Sequence, residues 1–98
     1  MRIRYLAVAD LEATAAAEYY EQQRPGLGAA FIDELKATES RIAQHPNAWP
    51  QNSQVTRSCF VNRFPYSVIY RVAVDEIVIV AIHHHKRDPR SWEDRISE

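Results

Sequence analysis

Little cysteine, little glycine and no long apolar run mark this chain. Cys59 is the only cysteine, so no disulfide can form within the chain, and the sequence reads as one for a reducing compartment, with Cys59 a buried thiol in a strand. The longest uninterrupted apolar run, Ile77 to Ile82, falls far short of the ~20 residues that cross a bilayer. The opening MRIRYLAVAD lacks the roughly 7–15 apolar residues of a signal peptide core. These features point to a cytoplasmic location away from membranes. Excess charge of one sign is missing too: the net charge is −1 and the pI about 6.4, against a general nucleic-acid binder. A Gly-rich phosphate loop, a G-x-S-x-G elbow, a Cys-x-x-Cys pair and an acidic metal cluster are all absent, so no cofactor and no metal are expected.

What is present is a patterned chain of 98 residues, a length that suits one domain, 1–98. RIRYLAV reads as a first strand. Asp10 is placed to cap a helix whose body, LEATAAAEYYEQQ, carries the strongest helix propensity in the chain. RPGLG ends it, with Gly26 suited to a left-handed position. A second helix is predicted from about Leu27 to Gln44, with Leu27, Phe31, Leu35, Thr38 and Ile42 along one face. The Pro-Gly turn should fold the two into an antiparallel hairpin. Three strands follow, in VTRSCFVNR, YSVIYRV and IVIVAIH, with a bend or edge at Pro65 and a hairpin turn at AVDEI. The order β-α-α-β-β-β is that of an α+β fold, a helical hairpin against a largely antiparallel sheet that ends in a three-stranded meander. In RDPRSWEDR, Asp88 and Pro89 resemble the start of a short C-terminal helical turn, with Trp92 as a lid over one end of the core.

Charge is unevenly spread along this pattern. From Ala9 to His45 there are seven acidic residues against three basic, and from Gln51 to Arg87 five basic against two acidic. The stretch Ser53 to Val74 contains no acid. Arg57, Arg63 and Arg71 stand in it, with Lys86 and Arg87 beyond the last strand, and Arg57 and Arg63 can share a sheet face if no bulge intervenes. Such arginines either keep an exposed sheet face soluble or form an anion-binding surface for phosphates or an acidic protein segment. Alternation puts His83 and His85 on one face and His84 on the other. Two imidazoles fall short of a zinc site, and the other histidine, His45, belongs to the helical hairpin, so a hydrogen-bonded strand end is the simpler reading. Any enzyme chemistry would have to come from Arg, His and Lys around a phosphodiester, guanidinium stabilising charge and histidine moving a proton.

YYEQQRPGLGAAFIDEL, NRFPYSVIYRV and DEIVIVAIHHHKRDPRSW, in that order, resemble the RelE/ParE superfamily, the toxin halves of type II toxin–antitoxin modules of the plasmid-stabilisation type. The resemblance spans nearly the whole chain. It implies a cognate antitoxin that wraps an amphipathic segment around the toxin and folds as it binds. Two activities are open under it. A RelE-like, ribosome-dependent mRNA endoribonuclease would use Arg87, in KRDP, near the scissile phosphate, with His83, Arg71 and Arg57 completing the set. Against that pattern, Ser67 stands where such nucleases carry an arginine, and no tyrosine follows Tyr70. A ParE-like toxin would instead trap DNA gyrase on cleaved DNA, meeting it through Arg57, Arg63, Arg71, His83, His85, Lys86 and Arg87. The departures favour the ParE-like reading. A non-toxic binding module that has kept the same fold is the third alternative.

Overall fold

The structure, a computed structural model, describes residues 1–96. Strand β1 (Arg2–Tyr5) leads into helices α1 (Ala7–Gln23) and α2 (Leu27–Gln44), followed by β2 (Arg57–Phe60), β3 (Tyr66–Val72), β4 (Glu76–His84) and a 3-10 turn at Glu93–Arg95. The sheet order is β1-β4-β3-β2. The three later strands form the expected antiparallel meander, and β1 joins it parallel to β4, with Tyr5 opposite Ile79. The helical hairpin is the crossover that a parallel pair requires.

The first strand is shorter than its sequence suggested and the first helix longer. Pairing ends where the Leu6 N–H donates to the Ile79 carbonyl at 3.0 Å, and α1 starts at once from Leu6, so Asp10 lies in the first turn and is no cap. Its carboxylate still sits near the positive end of the helix dipole. Gly26 takes the left-handed conformation (φ 88°) as expected, but it starts α2 rather than ending α1. The Glu21 carboxylate reaches over from α1 and accepts the Gly26 and Gly28 N–H groups at 3.0 and 3.1 Å, which satisfies two of the donors a helix start leaves open. Gly28 lets the helices close: a Cβ there would lie 2.6 Å from the Ala17 carbonyl oxygen.

One face of each helix is buried against the sheet: Ala9, Ala13 and Ala16 from α1, and Phe31, Leu35, Thr38 and Ile42 from α2. Tyr20, Phe31, Phe64 and Tyr66 form an aromatic cluster with ring centroids 4.8–6.3 Å apart. Ile77 to Ile82 is buried throughout, because helices cover one face of β4 and the C-terminal segment lies across the other, with Trp92 3 % exposed. Burial on both faces is why that strand is apolar without alternation. A bulge between Ile69 and Tyr70 skips Val80 in the pairing. It switches the parity of β4, so that Ile77 and Ile79 pair with the helix-facing Val72 and Tyr70 while Ile82 pairs with helix-facing Val68.

Candidate functional site

The end of β4 gathers the basic and aromatic groups. His84 lies opposite Tyr66, their rings 5.0 Å apart. Both line a cleft of about 290 Å³ against α1, together with Glu12, Tyr19 and Arg87. The Lys86 N–H donates to His84 Nδ1 at 3.0 Å. That nitrogen is the acceptor of the pair, which leaves Nε2 outside this bond.

Glu12 organises this cleft. Its carboxylate accepts the Ile82 N–H at 3.1 Å, Arg87 Nη1 at 3.2 Å, and Arg95 through two bonds of 2.9 and 3.0 Å. The reason lies in the strand lengths. β1 stops opposite Ile79, so the next stretch of the β4 edge has no neighbouring strand. Glu12 takes the Ile82 N–H and Arg95 Nη1 donates to the Val80 carbonyl at 3.1 Å, so this ion pair satisfies backbone groups that a strand would otherwise pair. Arg87 is fixed from one side by Glu12 and still about half exposed.

Across the sheet end, on the face away from the helices, the His85 ring packs 5.1 Å from the Phe60 ring, and Ser67 Oγ lies 2.9 Å from His85 Nε2. Phe60 is 69 % exposed. His83, on the same face by its pairing with Ser67, is buried, and that burial, aided by the Arg87 charge, lowers its pKa. Arg63 is not in a strand at all: it occupies the β2–β3 turn with φ 73°, its guanidinium 5.5 Å from the Phe64 ring. The shared face expected for Arg57 and Arg63 does not form, because β2 ends at Phe60.

The candidate residues thus fall into two groups. His83, His85, Lys86, Arg87 and the Arg63 turn share one end of the sheet. Arg71, opposite Val78, and Arg57, opposite Tyr70, sit toward the other. Arg71 lies five residue steps along β3 from Tyr66, roughly 16 Å, and Arg57 Nη1 is engaged with the Trp49 carbonyl at 2.8 Å. Residues that sequence reasoning did not single out complete the site: Glu12, Tyr19, Phe60, Tyr66 and His84. Glu12 had one legible signal, an acid in helical register with the buried Ala9 and Ala16. Phe60 had none, since an aromatic in a strand is more often core.

His83 and His85 gain no third ligand: among the described residues no three His, Cys, Asp or Glu side chains are grouped to hold a metal. Nor, among them, is any helix long and apolar enough to cross a membrane.

Residues 2–89 match the family described as ParE toxin of type II toxin-antitoxin system, parDE. The chain belongs to the ParE toxin family. Among solved structures, a chain of the chromosomal ParDE TA system from P. aeruginosa superposes with a TM-score of 0.75 at 20 % identity, over 86 % of this chain and 95 % of that one. At that identity the likeness is one of fold. No curated protein matches. The matched span includes the Phe-Pro-Tyr and KRDP segments that carried the resemblance, and the assignment makes the chain a member of a family of type II toxins.

Proposed function

We propose that this ParE-family chain is a growth-inhibiting toxin directed at DNA gyrase and held inactive by a cognate antitoxin. The observation that carries the choice of target is the separation of the residues an mRNA nuclease would need. Arg87 and His83 lie at one end of the sheet, Arg71 and Arg57 toward the other, and proton transfer demands groups within hydrogen-bond reach of one phosphodiester. The arrangement suits a protein target better. Phe60 is an exposed aromatic anchor, flanked on the same sheet end by His85, Lys86, Arg87 and the Arg63 turn, and interface energy concentrates in such anchors with basic groups setting encounter and register.

The antitoxin reading is supported by α1. Besides its buried face the helix exposes Val8, Leu11, Ala15 and Tyr19, spaced three, four and four along roughly 16 Å of helix. This apolar stripe runs into the cleft that ends at His84 and Arg87. An amphipathic antitoxin segment lying along it, with an acid at its far end, would cover Arg87 as it binds. Neutralisation then follows from occupying a residue the target also needs.

The test uses purified gyrase and supercoiled plasmid. The chain should stabilise gyrase–DNA cleavage complexes, seen as protein-linked linear DNA after denaturation. Phe60→Ala and Arg87→Ala should each weaken this by about thirtyfold, the effect of losing ~2 kcal/mol at a hot spot, with unchanged melting temperature. Absence of linear DNA at toxin in excess over gyrase, together with codon-dependent cleavage of ribosome-bound mRNA, would replace this reading with the RelE-like one.

A further inference from the structure

Strand β2 is an open edge of the sheet, since the order β1-β4-β3-β2 gives it a neighbouring strand on one side only. The Val61 N–H donates to the Tyr66 carbonyl at 2.9 Å. Antiparallel pairing repeats every second residue, so Arg57 and Cys59 turn their backbone groups toward β3 while Ser58 and Phe60 turn theirs outward. The loop before β2 covers the start of this edge, with Gln51 bridging to Arg57 and the Ser58 N–H donating to the Pro50 carbonyl at 2.9 Å. A proline has no N–H to return. Pairing along the edge therefore stops at Pro50, and the Ser58 carbonyl and the Phe60 N–H take no bond from another described residue.

A groove of about 430 Å³ runs beside these two groups, between α2 and the strand edge. Trp49, Pro50, Cys59 and Phe60 give it apolar walls, and Arg41 and Asn62 add polar ones. Arg41 Nη2 donates to Thr38 Oγ1 at 3.1 Å and to the Phe60 carbonyl at 3.0 Å, which holds the guanidinium against the strand. Among the described residues no carboxylate pairs with Arg41, Arg57 or Arg63, and the stretch Ser53 to Val74, which contains the whole edge, has no acid.

An open strand edge beside a side-chain pocket is how one protein takes up an extended segment of another: main-chain bonds hold the segment and the pocket reads its alternate side chains. Charge selects the occupant. A second copy pairing edge to edge would set these arginines against their own counterparts, and like charges across an interface oppose binding. An acidic segment instead meets arginines that lack a carboxylate.

We infer that β2 accepts an extended acidic segment of DNA gyrase as a fifth strand, bonded at the Ser58 carbonyl and the Phe60 N–H, with an apolar side chain in the groove beside Trp49 and a carboxylate on Arg41. This deepens the target reading above and rests on it, because Phe60, the proposed anchor, stands on this edge.

Hydrogen exchange resolved to single residues would be followed in the full-length chain alone and in its complex with purified gyrase and DNA. The Phe60 amide should exchange freely in the chain alone and at least about tenfold more slowly in the complex. Asn62 is exposed and its side chain bonds to no other described residue, so its variants leave the fold intact. Asn62→Asp places an acid on the groove wall and should weaken gyrase binding by about fivefold, whereas Asn62→Lys should strengthen it by a similar factor. Protein-linked linear DNA formed with Phe60 exchange unchanged would overturn the inference and leave gyrase as the target. So would Asn62 variants that fail to move the affinity in opposite directions. Phe60 protection that grows with chain concentration in the absence of gyrase would seat a second copy on the edge and overturn it as well. Absence of linear DNA would remove the target reading and the inference together.

Discussion

Glu12 ties distant parts of the chain together, since its one carboxylate on α1 serves a strand edge and two arginines. Replacing it by alanine removes the acceptor of the Ile82 N–H and the carboxylate paired with Arg95, in a site where both side chains of the pair are about 15 % exposed. The expected cost is about 2–3 kcal/mol, read as a lowered urea midpoint, and Glu12→Gln should recover part of it by keeping an acceptor for Ile82. His83 provides a pH test. Its pKa is lowered in the folded state, so below the unfolded value of about 6.5 the unfolded chain binds more protons than the folded one. Stability contributed by neutral His83 is complete above that value and is lost as pH falls toward the lowered folded value. Urea midpoints measured across this window should rise with pH in the parent and rise less in His83→Phe. Tyr70 shows the same burial in another group: its phenol is pushed up to about 12, and it donates to the Pro46 carbonyl at 2.6 Å.

At the scale of elements, the second helix was legible to the residue, because Leu27, Phe31, Leu35, Thr38 and Ile42 form one face and a Pro-Gly turn fixes the start. The β3 strand and its hairpin were equally clear, the Ala73 N–H closing the turn on the Glu76 carbonyl at 2.8 Å. The junction of β1 and α1 was not. Whether LAV continues a strand or starts a helix depends on where β4 stops pairing, a contact more than 70 residues away in sequence. The bulge at Ile69/Tyr70 was hidden for the same reason, and so was the Arg63 turn, since alternation alone extends β2 through it. Among site residues, the basic cluster after β4 was visible in KRDP, whereas Glu12 and Phe60 gain their roles only from what the fold sets beside them. Helix packing gives a sharp test at Gly28. Gly28→Ala puts a Cβ 2.6 Å from the Ala17 oxygen, which forces α1 and α2 apart and should destabilise by about 1–3 kcal/mol, although alanine is the better helix former. A melting temperature raised by this substitution would contradict the close approach of the two helices.

For the whole molecule, acidic helices and a basic strand half leave a chain of near-zero net charge with its charges unevenly spread along the sequence. The exposed stripe of α1 and the anchor at Phe60 lie on different elements but converge on the sheet end that carries Arg87. In the proposed account, antitoxin and target compete there. The most direct measurement is pulse labelling with radioactive thymidine and methionine in the minutes after this chain is induced without a partner. The account predicts that thymidine incorporation falls first and that Arg87→Ala delays the fall. A drop in methionine incorporation that precedes any change in thymidine would contradict it and return the site to RNA chemistry.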